Sequence, residues 1–492
     1  MDRYILSVDQ STSASKAFLV DRKGRIVQKK EIAHRQYYPQ AGHVEHDAGE
    51  IWRNTLSALQ VAGNVPQTAE GLSISNQRET TVLWDRGTGE PVARALVWQD
   101  TRAAGLCGGL SRHAAAIRQK TGLALSPYYS AAKAAYVLQH DDALLRRARN
   151  GEICIGTIDS YLIYRLSGRR VHATDVTNAS RMQLMNLETI SWDERVCGWF
   201  GIPMDCLPAI MPSDAVFGRT ACEGLATGIP ITGVLGDSHA ALFGHGCMEP
   251  GSAKVTYGTG SSVMMNVGES PVLSRSGLSG SVGFGFKGKT YYVLEGNITS
   301  AGDTLVWLER ELQLIDSPAQ AEEYCRQVAD TQGVYLVPAF SGLGAPYFST
   351  SAKALICGIS RGTTKKHIAR AAVESIAYQV YDVVRAVEAD SRRELSGLNA
   401  DGGASRNTLL MQFQADLLGR TLRVPAASER SALGAAYMGG LTIGLYGSLA
   451  DIPEDKEEIC LYSPQMAETR RMELLQGWEH AVAMTGVKGG AK

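Results

Sequence analysis

The feature that most constrains this chain is a unit that it carries twice. Tyr4 to Val8 reads as a buried strand, Asp9-Gln10-Ser11-Thr12-Ser13-Ala14-Ser15-Lys16 as a polar turn of mostly small residues, and Ala17 to Val20 as a returning strand. After Met248-Glu249-Pro250-Gly251 the order recurs. Lys254 to Tyr257 is a strand, Gly258-Thr259-Gly260-Ser261-Ser262 a small polar turn, and Val263 to Val267 the strand back. A pattern that restarts halfway predicts two related lobes, with the two turns facing each other across a cleft. The hairpin opening continues through Asp21-Arg22-Lys23-Gly24 to a strand at Ile26 to Ile32, unlike the strand–loop–helix start of a Rossmann fold.

Elsewhere strand-like and helix-like segments alternate, which is the α/β pattern. A helix is expected from Asp47, with Asp47 and Glu50 as a capping box and Trp52, Leu56 and Leu59 as its apolar stripe. Strands are expected at Leu72 to Ser75, at Val82 to Trp84 paired with Pro91 to Val97, and at Ile231 to Leu235. The last runs into Gly236-Asp237 and a helical Ala240 to Phe243. Further helices are Ala301 to Leu312, capped by Ser300 or Thr299, His367 to Val387, and Asn407 to Leu418 ending at Gly419. The Gly/Lys-rich tail from Val487 to Lys492 is expected to fray.

Charge and composition exclude several classes. Lys plus Arg is 49 and Asp plus Glu 50, a net charge of -1 that argues against dedicated nucleic-acid or anionic-membrane binding. Of 492 residues 44% are hydrophobic, so the chain can bury its cores, and 52 glycines point to tight turns and close backbone approaches. The nine cysteines form no Cys-x-x-Cys pair, no apolar run reaches bilayer length, and Tyr4 to Val8 is short for a signal segment, so a cytoplasmic enzyme is expected.

Five constellations could carry chemistry. The first turn combines hydroxyls, backbone N–H groups and Lys16 with an acid, Asp9, at a strand end; it fits a phosphate and Mg²⁺ site or a self-satisfied polar turn. The second turn, around Thr259, repeats those options. Gly402-Gly403-Ala404-Ser405-Arg406-Asn407 leads into a helix, as a nucleotide site or as an ordinary glycine turn capped by Ser405 or Asn407. In Gly236-Asp237-Ser238-His239, Asp237 is either an N-cap or the carboxylate that takes a proton from an attacking hydroxyl. Asn76-Gln77-Arg78-Glu79, with Trp98 and Tyr128, fits a polyol pocket or a surface ion pair. Gly283-Phe284-Gly285-Phe286-Lys287-Gly288 matches a dinucleotide spacing, but a strand follows it, so it reads as a hairpin; no P-loop motif occurs.

Together these residues resemble the FGGY family of carbohydrate kinases, over roughly Tyr4 to Tyr446. The specific stretches include Asp9 to Lys16, His43-Val44-Glu45-His46-Asp47, Asn76 to Thr81, Val97 to Asp100, Pro127 to Ser130, Asn178 to Arg181, Val337 to Tyr347 and Asp401-Gly402-Gly403. The resemblance implies an α/β fold of two actin-like (ribonuclease H-like) domains, 1–246 for the polyol or sugar and 247–492 for the nucleotide, flanking an ATP-binding cleft. It implies ATP with Mg²⁺ as cofactors, Asp237 as catalytic base and Asp9 as the metal-side acid. Arg78, Glu79, Trp98, Tyr128, Asp237, Ser238 and Ser262 are implied at the substrate; Thr12, Ser13, Lys16, Thr259, Gly302, Gly403 and Asn407 at the nucleotide. A homodimer or homotetramer is implied by family likeness alone.

The departures bear on the acceptor. Where glycerol-phosphorylating members carry Gln and Phe, this chain has Ser238 and Ser262, which leaves room for a longer polyol or a ketose. Ser11 and Val306 stand for a Gly and a Gln, and Ala226-Thr227-Gly228-Ile229 lacks the Arg associated with fructose bisphosphate regulation. The expected activity is ATP-dependent phosphorylation of a primary hydroxyl, with glycerol the leading single acceptor. The alternatives are an acceptor of erythritol, erythrulose, xylulose or ribulose type, or an actin-like ATPase with no small-molecule acceptor.

Overall fold

Residues 3–60, 69–426, 429–453 and 459–487 are described by the computed structural model; the tail beyond 487 lies outside the described residues. Each half builds one sheet around its founding strand. In the first, six strands run in the order Val216–Arg219, Pro230–Gly236, Ala69–Asn76, Tyr4–Gln10, Ala14–Asp21, Ile26–Ala33. In the second, seven run Ser279–Phe286, Lys289–Ile298, Ser261–Gly268, Ser252–Tyr257, Gly397–Asp401, Leu422–Pro425, Ile459–Tyr462. Both founding strands pair antiparallel with their hairpin partner and parallel on the other side, Tyr4–Gln10 with Ala69–Asn76 and Ser252–Tyr257 with Gly397–Asp401. The echo in the sequence is therefore a repeat of topology.

Register decides where the chemistry lies. Asp9 stands beside Ser75, and Ser75 beside Leu235, so three parallel strands end level with one another. Their carboxyl ends lead into the first polar turn, into Asn76 to Glu79 and into Asp237. The C-terminal edge of parallel strands is where α/β sheets bind ligands, because loops diverge there and helix N-termini converge.

The helix Arg430–Thr442 belongs to the second half of the chain but packs on the first sheet. Its Ala432, Leu433, Ala436 and Tyr437 share a core with Ile5, Phe18, Leu235, Ala240 and Phe243. The approach is close enough that a Cβ on Gly434 would stand 1.8 Å from the Ala240 carbonyl oxygen and 2.8 Å from the Gly244 nitrogen. This helix straps the second half of the chain to the first.

Several ends differ from expectation. The helix Ala48–Leu59 is capped by Asp47, which accepts the Glu50 amide at 3.0 Å, but Glu50 does not complete the box. Its carboxylate accepts the Arg35 amide at 3.2 Å, a partner that only the fold supplies. The helix expected from Ala301 spans Gly302–Arg310 with Ala301 as an N-cap that makes no side-chain bond; Ser300 donates to Asp303 at 3.2 Å instead. Thr408–Leu418 is capped by Asn407, which accepts the Leu410 amide, and closes at Gly419. The Gly283 to Gly288 stretch is a hairpin, as read.

Gly434→Ala drives a methyl into backbone that cannot withdraw, so it should cost about 1–3 kcal/mol. A urea unfolding midpoint lowered at constant slope is the expected result.

Candidate active site

A buried cluster of alternating charge surrounds Arg78 and Glu79. Arg78, directly after its strand, donates Nη1 and Nη2 to the two oxygens of Glu295 at 2.9 and 2.8 Å. Glu295 comes from the strand Lys289–Ile298 of the other half, and Arg181 also reaches it, Nη1 to Oε2 at 3.2 Å. Arg181 donates Nε to Glu79 Oε1 at 2.5 Å. The adjacent Arg78 and Glu79 thus do not pair with each other; each is matched from elsewhere. Although burial alone would raise the Glu295 carboxyl, the two guanidinium groups hold it well below the usual carboxylate range.

Glu79 has a left-handed backbone, φ 59°, uncommon for a residue with a side chain. Its carbonyl accepts from Ser130 at 3.0 Å and from Thr81 at 3.1 Å, while its carboxylate is fixed by Arg181. Lys133, one turn along the helix Ser130–Gln139 and wholly buried, donates to the Tyr128 carbonyl. Burial brings its ammonium down to about 7, opposed by Glu79 and Asp100. Tyr128 stands edge-on to Trp98, with ring centres 5.8 Å apart.

Asp237 opens the helix Asp237–Gly244 and accepts its own neighbour's amide, Ser238 N to Oδ1, at 2.6 Å. Arg78 Nε lies 3.4 Å from the same oxygen. That approach requires the glycine before it: a Cβ on Gly236 would stand 2.6 Å from Arg78 Cγ. The carboxylate stays 38% exposed, so it faces the cleft and not the core. Burial in the cleft pushes its pKa up, against the pull of Arg78. Asp9, at the level strand end, accepts Ser75 Oγ at 3.0 Å. Burial raises its carboxyl to about 6, with Lys16 opposing and Asp237 adding to the rise.

Two cavities adjoin the second half, and of these only the smaller reaches first-half residues. One of about 210 Å³ is lined by Asp237, Ser238, Lys254, Thr256, Asp401 and Gly402. The other, about 680 Å³, is lined by Thr259, Gly302, Gly403 and Asn407 together with apolar Leu305, Val306 and Leu410. Four of the expected nucleotide-side residues therefore share one cavity. Its floor is tied by backbone bonds, Gly302 N to Gly258 O at 3.0 Å and Asp303 N to Thr259 O at 3.2 Å. Thr12 and Ser13 sit in the first turn, and Lys16 reaches Glu429, just before the helix Arg430–Thr442, at 3.7 Å. Ser262 donates to Glu295 Oε1 at 2.9 Å, so its hydroxyl braces the charge cluster.

Comparison with known proteins agrees with this geometry. Models of the FGGY family of carbohydrate kinases match twice, the N-terminal domain over residues 4–244 and the C-terminal domain over 253–443. The chain belongs to that family. A glycerol kinase of Thermotoga maritima is 46% identical over 485 residues, covering 97% of this chain and 99% of the relative. A glycerol kinase of Dechloromonas aromatica is 46% identical over 489 residues, covering 98% and 97%. The crystal structure of Plasmodium falciparum glycerol kinase with ADP superposes with a TM-score of 0.95 at 34% identity over 99% of both chains. A gluconate kinase structure from Lactobacillus acidophilus, 20% identical with a TM-score of 0.87 over 99% of this chain and 97% of that one, shares the fold. The fold is thus the two-lobed, actin-like FGGY architecture, and the reaction is ATP-dependent phosphoryl transfer to an alcohol group.

Glu295, Arg181, Lys133 and Lys254 were not singled out from the sequence for a role. Glu295 left one trace, an acid in the otherwise apolar strand text Tyr-Tyr-Val-Leu-Glu-Gly, since a buried charge demands a partner. Its partners lie 217 and 114 residues away, by subtraction of 78 and 181 from 295, so no local pattern reveals them.

Glu295→Gln leaves Arg181 with Glu79 and Arg78 with only the longer contact to Asp237. Breaking a buried ion pair by one partner costs about 3–5 kcal/mol. A lower denaturation midpoint with a raised KM for the acceptor is expected; loss of neither would remove the cluster from its role.

Proposed function

We propose that the protein transfers the γ-phosphoryl group of ATP to a primary hydroxyl of a small polyol, glycerol first, with Asp237 as the base. The observation that carries this reading is the place of Asp237. It opens a helix at a level strand end, touches Arg78 on the acceptor side, and lines the cavity that leads to the Gly402 turn. Arg78, Glu79, Trp98 and Tyr128 bind and orient the polyol; Thr12, Ser13, Lys16, Thr259, Gly302, Gly403 and Asn407 hold the nucleotide. The polyol side falls within 1–246, and the nucleotide is held by 247–492 together with the first polar turn; the helix Arg430–Thr442, taken as the hinge helix, returns to the first half.

The cavity suits a nucleotide. Its apolar walls fit a base, and Gly258, Gly302 and Gly403 line it with backbone that a ligand can approach closely. Among the described residues no group of three or more His, Cys, Asp or Glu side chains is arranged for a metal ion. That fits Mg²⁺, which keeps water and phosphate oxygens and takes one or two carboxylates; Asp9 is the residue to hold it, with Asp237 across the site. When bound, the ion neutralises charge on the phosphates. Asp237 accepts the acceptor's proton at a carboxylate oxygen, and Arg78 keeps that oxygen oriented. Closure of the lobes about the hinge helix excludes water.

Ser238 and Ser262 favour a second reading, an acceptor one or two carbons longer, because both side chains are small and neither is fully buried. A cytoplasmic setting is supported by nine unpaired cysteines; among the described residues no helix is long and apolar enough to cross a membrane.

A coupled assay over glycerol, tetritols and pentuloses tests the acceptor: the preferred compound should show the highest kcat/KM, and ATP consumption indifferent to every one of them would sink the proposal. Asp237→Asn should lower kcat about 10²–10⁴-fold, the usual worth of a general base, while ATP still binds. A raised carboxyl pKa means that the ionised form is lost early on acidification. For the free enzyme kcat/KM should therefore fall as pH drops through about 6, where Asp9 takes up its proton, and the raised Asp237 carboxyl adds to the acid limb. A flat profile down to pH 5 would contradict it.

A further inference from the structure

Trp98 and Thr12 stand on opposite sides of the proposed reaction, one at the acceptor and one in the turn that meets the phosphates. They are joined directly: the Trp98 indole Nε1–H donates to Thr12 Oγ1 at 3.0 Å. An indole has a single donor and no acceptor, so this bond commits the only polar atom of the ring. Toward the polyol Trp98 offers its carbon surface, held at a set angle by the Tyr128 ring.

A second path connects the same two places. The Trp98 backbone N–H donates to Thr80 Oγ1 at 3.2 Å, and Thr80 Oγ1 donates to Gln77 Oε1 at 2.8 Å. Gln77 Nε2 then donates to Gln10 Oε1 at 3.0 Å and to the Ser11 carbonyl at 3.3 Å. The Gln77 amide donates to the Gln10 carbonyl at 2.7 Å. Trp98 is thereby held to the base of the turn through its backbone and to the tip through its ring. Thr12 itself is braced from behind, its carbonyl accepting from His34 Nε2 at 2.9 Å and from Gln36 Nε2 at 3.2 Å. Ordering either end of such a closed ring orders the other.

Resting on the assignment of the acceptor and nucleotide sides above, we propose that Trp98 and Thr12 are positioning residues that couple the two substrates. A polyol that packs on the Trp98 ring fixes the indole N–H on Thr12. The Thr12 hydroxyl, accepting from Trp98, then has its one proton directed at a phosphate oxygen, and a hydrogen bond that is both accepted and donated is strengthened along the chain. The turn closes on ATP most tightly when the acceptor is already in place. By linkage, ATP tightens the polyol by the same factor.

Calorimetric titration of glycerol, with and without saturating Mg²⁺ and the β,γ-imido analogue of ATP, measures that factor; the mirror titration of analogue with and without glycerol must return the same value. At least about five-fold is expected for the wild type, the low end of coupling between sites. Trp98→Phe keeps a ring and removes the N–H; Thr12→Val keeps the shape and removes the hydroxyl. Both should bring the factor close to one, whereas Thr12→Ser should retain it. KM for ATP at saturating glycerol should rise in the first two variants by about the factor lost. A bond that only stabilised the fold would shift unfolding midpoints and leave the factor unchanged. A wild-type factor of one, or a factor preserved in Trp98→Phe and Thr12→Val, overturns the coupling while the kinase reading stands. Wild-type protein that binds and phosphorylates no polyol overturns both.

Discussion

Glu295 meeting Arg78 and Arg181 in a site closed to water is the interaction on which the rest of the structure depends. A carboxylate there without its two cations would be prohibitively desolvated, and the cations without it equally so. Because Glu295 belongs to one half of the chain and both arginines to the other, the ions can be satisfied only when the halves meet in one relative placement. The pocket proposed for the acceptor inherits that placement. Arg78 is held rigidly enough to touch Asp237, and Arg181 is held rigidly enough to keep Glu79 in a backbone conformation it would not choose alone.

The helix Arg430–Thr442 imposes the complementary constraint. It delivers second-half residues into the core beneath the first sheet, at a distance that tolerates no side chain at Gly434. One half therefore cannot slide past the other.

Much of this was readable in advance because it is local. The strand–turn–strand repeat is a matter of alternating apolar runs and small polar residues, and both copies fold as sheet hairpins with matching pairings. Asp47, Asn407 and Gly419 cap or close helices because their side chains or backbone act within a few residues. The errors have the opposite character. Glu50 found the Arg35 amide, and Ser300 found Asp303 and left its helix uncapped, since those choices depend on which groups the fold brings near.

The amino-acid sequence by itself determined the repeat, the strand ends that carry Asp9, Arg78 and Asp237, and the family likeness, because each is written in short contiguous stretches. Only the tertiary structure decided that Arg78 answers Glu295 and Glu79 answers Arg181, that Ser262 braces this cluster, and that Trp98 is bonded to Thr12. The physical reason is the same in each case. A buried charge or donor must be matched by whatever lies within hydrogen-bond reach, and that neighbour is chosen by the packing of two lobes, across sequence separations that no periodicity records.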